Sequence, residues 1–364
     1  MESEFVYSQR VKVVFGAGKF DQLGALLGEL GFASCVLVCD PFFEKKALEI
    51  KEKCPEICAV WAGVEPNPQL SGAEAAAKLA KEFSADVLVG FGGGSAMDTA
   101  KFAAAICRGS ADASEYYDGK PFETERPAVL TVPTTAGTGS EVTQVSVMNR
   151  GEEKKTINHP ALLPLAAIVD PLLTLSVPPR TTMITGLDAL AHALEGFWSV
   201  HHQPITDLYA VEAVRLVLEN LDTAFRDGQN IEARTNMSYA ALLAGMAFAQ
   251  PKTAGCHACS YPLAMDYHLP HGEACAFTLQ SFVRVNADAR LEDLCRKAGL
   301  SGTAELAERI DALKALAGLK ARLSEIGCTD IEMLARESAA HPLMKNNPVK
   351  MDESMLSDLF RALA

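Results

Sequence analysis

Val87-Leu88-Val89-Gly90-Phe91-Gly92-Gly93-Gly94-Ser95-Ala96-Met97-Asp98-Thr99-Ala100-Lys101 decides how the first half of this chain is read. Val87 to Phe91 is a short apolar run with β-branched and aromatic residues, the pattern of a buried strand. Gly92-Gly93-Gly94-Ser95 then turns the chain, and an Ala-rich helical segment follows. Strand, glycine turn and helix N-terminus make an anion site, because the unbonded N–H groups of the first helical turn and the helix dipole point the same way. Glycines let the main chain approach a pyrophosphate without Cβ collisions. A tight strand-to-helix turn with no ligand would use the same residues. The stretch is not a Gly-x-Gly-x-x-Gly fingerprint, and it lacks the Gly-Lys-Ser/Thr ending of a P-loop.

On the N-terminal side, Arg10 to Phe15 is strand-like and Phe20 to Leu30 helical. Cys35 to Cys39 is a second strand-like run ending at Asp40, and helical stretches recur at Glu44 to Lys53 and Ala73 to Phe83. On the C-terminal side, Val129-Leu130-Thr131-Val132-Pro133 is another buried strand, with Thr134-Thr135-Ala136-Gly137-Thr138-Gly139-Ser140-Glu141 behind it. Hydroxyls and glycines so placed can bond phosphate, ribose or amide groups, although a plain polar loop has the same composition. The alternation predicts a parallel sheet covered by helices, with ligand loops at the carboxyl ends of strands. Asp40 can accept hydrogen bonds from both adenosine-ribose hydroxyls and repel a 2′-phosphate; an ordinary strand-end aspartate is the alternative.

Around Leu172 the pattern changes. Pro178-Pro179 ends the last strand-like region, and Thr181 or Thr182 is expected to cap the helix that follows. From there to Ala364 helical periodicity prevails, so an α/β domain is expected over 1–177 and an all-helical one over 178–364. No internal repeat interrupts either part.

The 364 residues suffice for two cores, and an apolar fraction of 49% describes a globular chain. A formal net charge of −13 argues against a nucleic-acid surface, which needs clustered Lys and Arg. No signal peptide is recognised at Met1-Glu2-Ser3-Glu4, and no apolar run reaches transmembrane length, so a cytoplasmic location is expected. The ten scattered cysteines are expected to be reduced thiols. Cys256-His257-Ala258-Cys259 with Cys275 could suggest a thiolate zinc site, but no second Cys-x-x-Cys completes that pattern.

The helical half carries the other distinctive residues. Asp188 and His192 form an i, i+4 pair in Gly-Leu-Asp-Ala-Leu-Ala-His, which puts both on one helix face. His257 and His271 follow, the latter in Pro270-His271-Gly272, with His268 in the same segment. One carboxylate and three imidazoles suit a borderline divalent ion such as Fe²⁺ or Zn²⁺ better than Ca²⁺ or Mg²⁺. Taken singly, each histidine also fits an ordinary core or surface position.

Together these stretches resemble the iron-containing (group III) alcohol dehydrogenase family, over nearly the whole chain from Phe15-Gly16 onward. The motifs that carry the resemblance are Gly92-Gly93-Gly94-Ser95-x-x-Asp98, Pro133-Thr134-Thr135-Ala136-Gly137-Thr138, the Asp188/His192 helix and Pro270-His271-Gly272. It implies a Rossmann-like α/β N-terminal domain and an all-α C-terminal domain, a dehydroquinate synthase-like architecture. It also implies hydride transfer between NAD and a small alcohol or aldehyde, with a homo-oligomer expected. By the same resemblance Asp188, His192, His257 and His271 hold Fe²⁺, or sometimes Zn²⁺. Gly93, Gly94, Ser95, Asp98, Asn67, Thr134, Thr135, Thr138 and Lys154 match cofactor-contacting positions, with Lys155 the alternative to Lys154; a solvated turn charge is the plain reading of either lysine.

The pattern breaks at one point. Many members carry a proton-transferring histidine four residues after the His257 position, where this chain has Tyr261. Its phenol, the nearby His268, or neither could relay the proton. Lys252 stands where a simple-alcohol enzyme needs no charge. Subgroups acting on phosphonate- or sulfonate-bearing aldehydes look similar here, including Ser260-Tyr261-Pro262-Leu263, so Lys252 is either an anion ligand or a solvated surface lysine. Two rivals are a dehydroquinate-synthase-like lyase and a nucleotide- and metal-binding scaffold without catalysis.

Overall fold

The computed structural model describes Glu4 to Ala364, which divide into two compact units. The α/β unit comprises Gln9–Thr135 and Gly139–Leu175, and the helical unit Ser176–Ala364 with Ala136–Thr138 and the segment ending at Ser8.

In the α/β unit the elements alternate: β1 (Lys12–Phe15), α1 (Leu23–Glu29), β2 (Cys35–Cys39), α2 (Glu44–Lys53), β3 (Ile57–Trp61), α3 (Leu70–Glu82), β4 (Val87–Gly92) and α4 (Gly94–Ile106). A short α5 (Ala113–Tyr117), β5 (Ala128–Pro133), β6 (Val145–Arg150), β7 (Glu153–Asn158) and β8 (Ala166–Val169) complete it. Six strands form one sheet in the order β1-β8-β5-β4-β2-β3, every pairing parallel. Along β2, Val36 and Val38 pack with Leu70, Ala73 and Ala103 on one face, while Cys35, Leu37 and Cys39 pack with Leu23, Ala47 and Ile50 on the other. That period of two explains the uninterrupted apolar runs: a strand covered on both faces has no polar side to show.

Two readings of the sequence change. The lysines at 154 and 155 are in no solvated turn: they lie on β7, paired antiparallel with β6 around the left-handed Gly151. The helix carrying Asp188 is α6 (Pro179–Trp198), and neither Thr181 nor Thr182 is its cap. Pro178 holds the N-cap position and Pro179 the first turn, where a missing N–H costs nothing. Thr182 lies inside the helix instead, its hydroxyl bonded by buried Arg234, which also donates to the Val177 carbonyl.

The helical unit continues with α7 (Pro204–Arg226), α8 (Ile231–Phe248), α9 (Gly255–Met265), α10 (His271–Val285), α11 (Ala289–Lys297), α12 (Thr303–Leu316), α13 (Ile331–Ala340) and α14 (Glu353–Arg361). Glycines set the closest approaches. A Cβ on Gly272 would meet the Ile184 carbonyl oxygen at 2.4 Å and the Asp188 Cβ at 3.1 Å, so only glycine lets α10 start against α6. Among the described residues no helix is long and apolar enough to cross a membrane, and all ten cysteines are free.

Candidate metal centre and cofactor turn

In the α/β unit, the carboxyl ends of β4, β5 and β2 come together. Gly92 has φ 153, and a Cβ there would meet Ala96 at 2.7 Å and an Asp40 carboxylate oxygen at 3.1 Å, so this glycine admits both the turn and the aspartate beside it. Gly93 occupies the N-cap of α4 with no side-chain cap, leaving the helix start open to a ligand. Gly93, Gly94 and Ser95 are partly exposed, whereas the rest of α4 is buried. The Thr134 N–H donates to the Gly92 carbonyl at 2.9 Å, and the Thr135 hydroxyl lies next to Gly93. Asp40 is half-buried, which pushes its carboxyl pKa up, while one oxygen accepts from the Phe42 N–H. Asn67 is exposed with φ 55, and its carbonyl accepts from Asn149.

Asp98 is placed differently from the rest of the turn. Its two carboxylate oxygens accept from the Ser140 hydroxyl at 2.7 Å and the Val147 N–H at 2.9 Å, which ties α4 to β6. Beside it, wholly buried Lys101 donates to the Ser140 carbonyl, the Ser140 hydroxyl and the Val145 carbonyl. Burial pushes the Lys101 ammonium down to about 8, against the pull of Asp98 and Glu141. Lys155 donates to the Tyr117 carbonyl and lies over the Tyr117 ring, so strand alternation turns Lys154 to the opposite side of the hairpin.

In the helical unit, Asp188 and His192 of α6, His257 of α9 and His271 of α10 converge. The Nε2 atoms of His192 and His257 are 3.0 Å apart, and Asp188 Oδ1 lies 3.8 Å from His257 Nε2 and 4.0 Å from His271 Nε2. Asp188 Oδ1 is buried and has no hydrogen-bond partner. The orientation of two rings is settled from behind: Gly137 O lies 3.3 Å from His192 Nδ1, and Glu195 takes the Nδ1 proton of His257 in a short contact. Both Nε2 lone pairs then face each other and require a cation, proton or metal, between them. Burial presses the Asp188 carboxyl upward, but the surrounding imidazoles outweigh it and hold it below the ordinary carboxylate range. Burial drives His192 down to about 4, so it is neutral at physiological pH, as a metal ligand must be. The His271 side chain is 40% exposed, and the cluster is open on that side.

Sequence reasoning missed Glu195 and His341, set Cys275 aside with the thiolate zinc pattern, and gave Gly137 no role at the metal centre. Glu195, fully buried, continues the Asp188/His192 face at i, i+7 and also accepts from the N–H groups of Cys256 and His257. Cys275 brings its sulfur 3.8 Å from His271 Nε2. Gly137, whose Cβ would collide with Thr185 at 2.7 Å, and His341, whose ring stacks on Tyr261 at 4.1 Å, are too distant in sequence for a local pattern to reveal. Cys256 and Cys259 do not join the donor atoms: they are buried in the helical core. His268 lies exposed in the turn before α10 with φ 55. Lys252 is exposed as well, with φ 67, and its N–H closes α8 on the Phe248 carbonyl at 2.7 Å. The Phe248 ring stacks on His192 at 4.2 Å.

Two family models cover the chain: "Iron-containing alcohol dehydrogenase" over residues 10–171 and "Fe-containing alcohol dehydrogenase family, C-terminal" over 182–364. Among solved structures, a sulfoacetaldehyde reductase from Bifidobacterium kashiwanohense in complex with NAD⁺ is 37% identical, with a TM-score of 0.96 over 99% of each chain. Long-chain-alcohol dehydrogenase 1 of Geobacillus thermodenitrificans is 32% identical over 95% of this chain and 93% of its own. Sulfoacetaldehyde reductase of Bilophila wadsworthia is 31% identical over 98% of both. These likenesses set aside the lyase and the scaffold without catalysis, and the Rossmann-like and helical units have the dehydroquinate synthase-like architecture. The chain belongs to the iron-containing alcohol dehydrogenase family and is an NAD-dependent, metal-dependent oxidoreductase of small alcohols and aldehydes.

Proposed function

We propose that the protein reduces a small aldehyde bearing an acidic tail, a sulfonate or phosphonate, at a metal held by Asp188, His192, His257 and His271. The observation that carries the metal reading is the buried, unpartnered Asp188 Oδ1 facing two imidazole nitrogens. Such an acceptor costs about 1–3 kcal/mol or more when left alone, so it is kept for a ligand. A divalent ion, when bound, supplies Lewis acidity toward the substrate oxygen, and the nicotinamide carries the hydride.

The chain's own residues do the rest. Glu195 and the Gly137 carbonyl hold the Nδ1 protons of His257 and His192, and so present both Nε2 lone pairs. Phe248 covers one face of His192 and excludes water there. Gly93, Gly94 and Ser95 offer main-chain groups to the pyrophosphate, Thr134, Thr135 and Thr138 flank the nicotinamide half, and Asn67 and Lys154 complete the cofactor set. Asp40 selects NAD over its 2′-phosphorylated form, while Asp98 acts behind the turn as its anchor. Tyr261 Oη handles the proton, with the His341 ring stacked against the phenol. Exposed His268 has no part in this reading. The location is the cytoplasm, where thiols stay reduced, and the working form is a homo-oligomer.

Lys252 is the residue assigned to the acidic tail. A non-glycine residue with φ 67 is held there by hydrogen bonds from Ser199 to the Pro251 carbonyl and from Asn346 to the Thr253 carbonyl, so neighbouring structure enforces the strained conformation. Its N–H is bonded to the same Phe248 whose ring covers His192. Two relatives whose names specify sulfoacetaldehyde support the same substrate class. Lys252→Ala is expected to lower kcat/KM for sulfoacetaldehyde or phosphonoacetaldehyde about tenfold to a hundredfold, as loss of a charge-assisted hydrogen bond does, and to spare propionaldehyde. Equal losses for charged and neutral aldehydes would return Lys252 to the surface and leave a neutral substrate as the better reading.

A further inference from the structure

We propose that Cys275 is a fifth donor of the metal centre, its thiolate binding the same ion as Asp188, His192, His257 and His271, an inference that rests on the metal reading above. Helix α10 presents His271 and Cys275 at i, i+4, just as α6 presents Asp188 and His192, and Gly272 sets the distance between the two helices. The donor atoms of Asp188, His257, His271 and Cys275 all lie within 4.8 Å of one another, and His192 stands outside that set, reaching it through His257, whose Nε2 lies 3.0 Å from its own. Metal–sulfur and metal–nitrogen bonds of about 2.3 and 2.05 Å place two ligands of one ion about 3.5–3.8 Å apart at angles between tetrahedral and trigonal. The Cys275 sulfur and His271 Nε2 are 3.8 Å apart.

The second observation is the carboxylate of the same cluster: buried Asp188 Oδ1 has no hydrogen-bond partner and faces the imidazole nitrogens. Cys256 and Cys259 are equally buried on α9 and have no place in the donor group, so burial alone does not put a sulfur there. On binding, Cys275 loses its thiol proton to solvent and gives a sulfur electron pair to the ion, with no change of oxidation state. A soft ligand added to nitrogen and oxygen donors favours Fe²⁺ or Zn²⁺ over Mg²⁺ or Mn²⁺.

The test uses the full chain stripped of metal and reloaded with cobalt(II). Sulfur ligation gives a strong near-ultraviolet charge-transfer absorption that nitrogen and oxygen ligands do not. The expected result is that absorption in the wild type at one cobalt per chain, and its loss in Cys275→Ser and Cys275→Ala. Competition with a chromophoric chelator should show cobalt affinity falling at least about tenfold, since even partners behind the ligands are worth that much. Cobalt bound without the absorption, or an absorption that survives in both variants, would overturn the proposal while leaving the metal site standing. A wild type that binds no cobalt would instead sink the metal reading, and this inference with it. If neither variant folds, cobalt bound to the wild type without the absorption still overturns the proposal.

Discussion

At the glycine turn the groups offered to a ligand are mostly main chain; at the Asp188 cluster the donors are all side chains. The turn is at ease without its ligand. Gly93, Gly94 and Ser95 expose helix-start donors that water can satisfy, and the aspartate behind them is already hydrogen-bonded twice. The cluster is not at ease, since it holds a buried acceptor with no partner and two facing imidazole nitrogens. Main-chain sites can be pre-formed at little cost, whereas converging side chains accumulate desolvation and repulsion that only a cation relieves. One unit is therefore shaped for its ligand, and the other also depends on it for stability.

The largest effect that can break this contrast is at His271. His271→Ala should remove most bound metal and lower kcat/KM by at least the roughly hundredfold seen when outer partners of a metal ligand are lost. Full activity in a metal-free variant, checked by elemental analysis, would end the metal assignment. Next is Glu195→Gln, which keeps the shape but removes the charge behind His257. Metal affinity should weaken about 10–100-fold, read by chelator competition, with NADH binding unchanged. If NADH binding falls as well, the two units are not the separate devices described above.

Much of this contrast was legible in the sequence, and the reason differs by unit. Strand and helix periods, glycines after Val87–Phe91 and an i, i+4 Asp/His pair are local signals, and the structure realises each as an element or a cluster. What stayed hidden was tertiary. Gly137 reaches His192 across 55 positions, and His341 meets Tyr261 only through folding. Glu195 could have been found, because 188, 192 and 195 fall on one helix face. The β6–β7 hairpin also had a signal, alternation around Gly151, obscured by its charged tip.

Smaller effects sharpen the description of the α/β unit. Asp40→Gly should raise the ratio of kcat/KM with NADPH to that with NADH about tenfold, the scale of one charge-assisted hydrogen bond lost and one repulsion removed. An unchanged ratio means Asp40 does not contact the ribose. The smallest effect concerns Lys101. Its folded pKa lies near 8, below the ordinary 10.5, so between those values the unfolded chain binds more proton and folding stability rises with pH. Denaturation of wild type and Lys101→Met, compared below pH 8 and near pH 10, should show the wild type gaining on the variant as pH rises. Parallel pH profiles would mean that Lys101 titrates normally.

The glycine at 272 has a consequence for how such a protein can change over time. Because main chain against main chain sets the spacing of α6 and α10, the seat of the ion does not depend on the turn that joins α9 to α10. Asp266 and His268 in that turn are exposed and free to drift, so lineages can rewrite the connection without renegotiating the reaction centre itself.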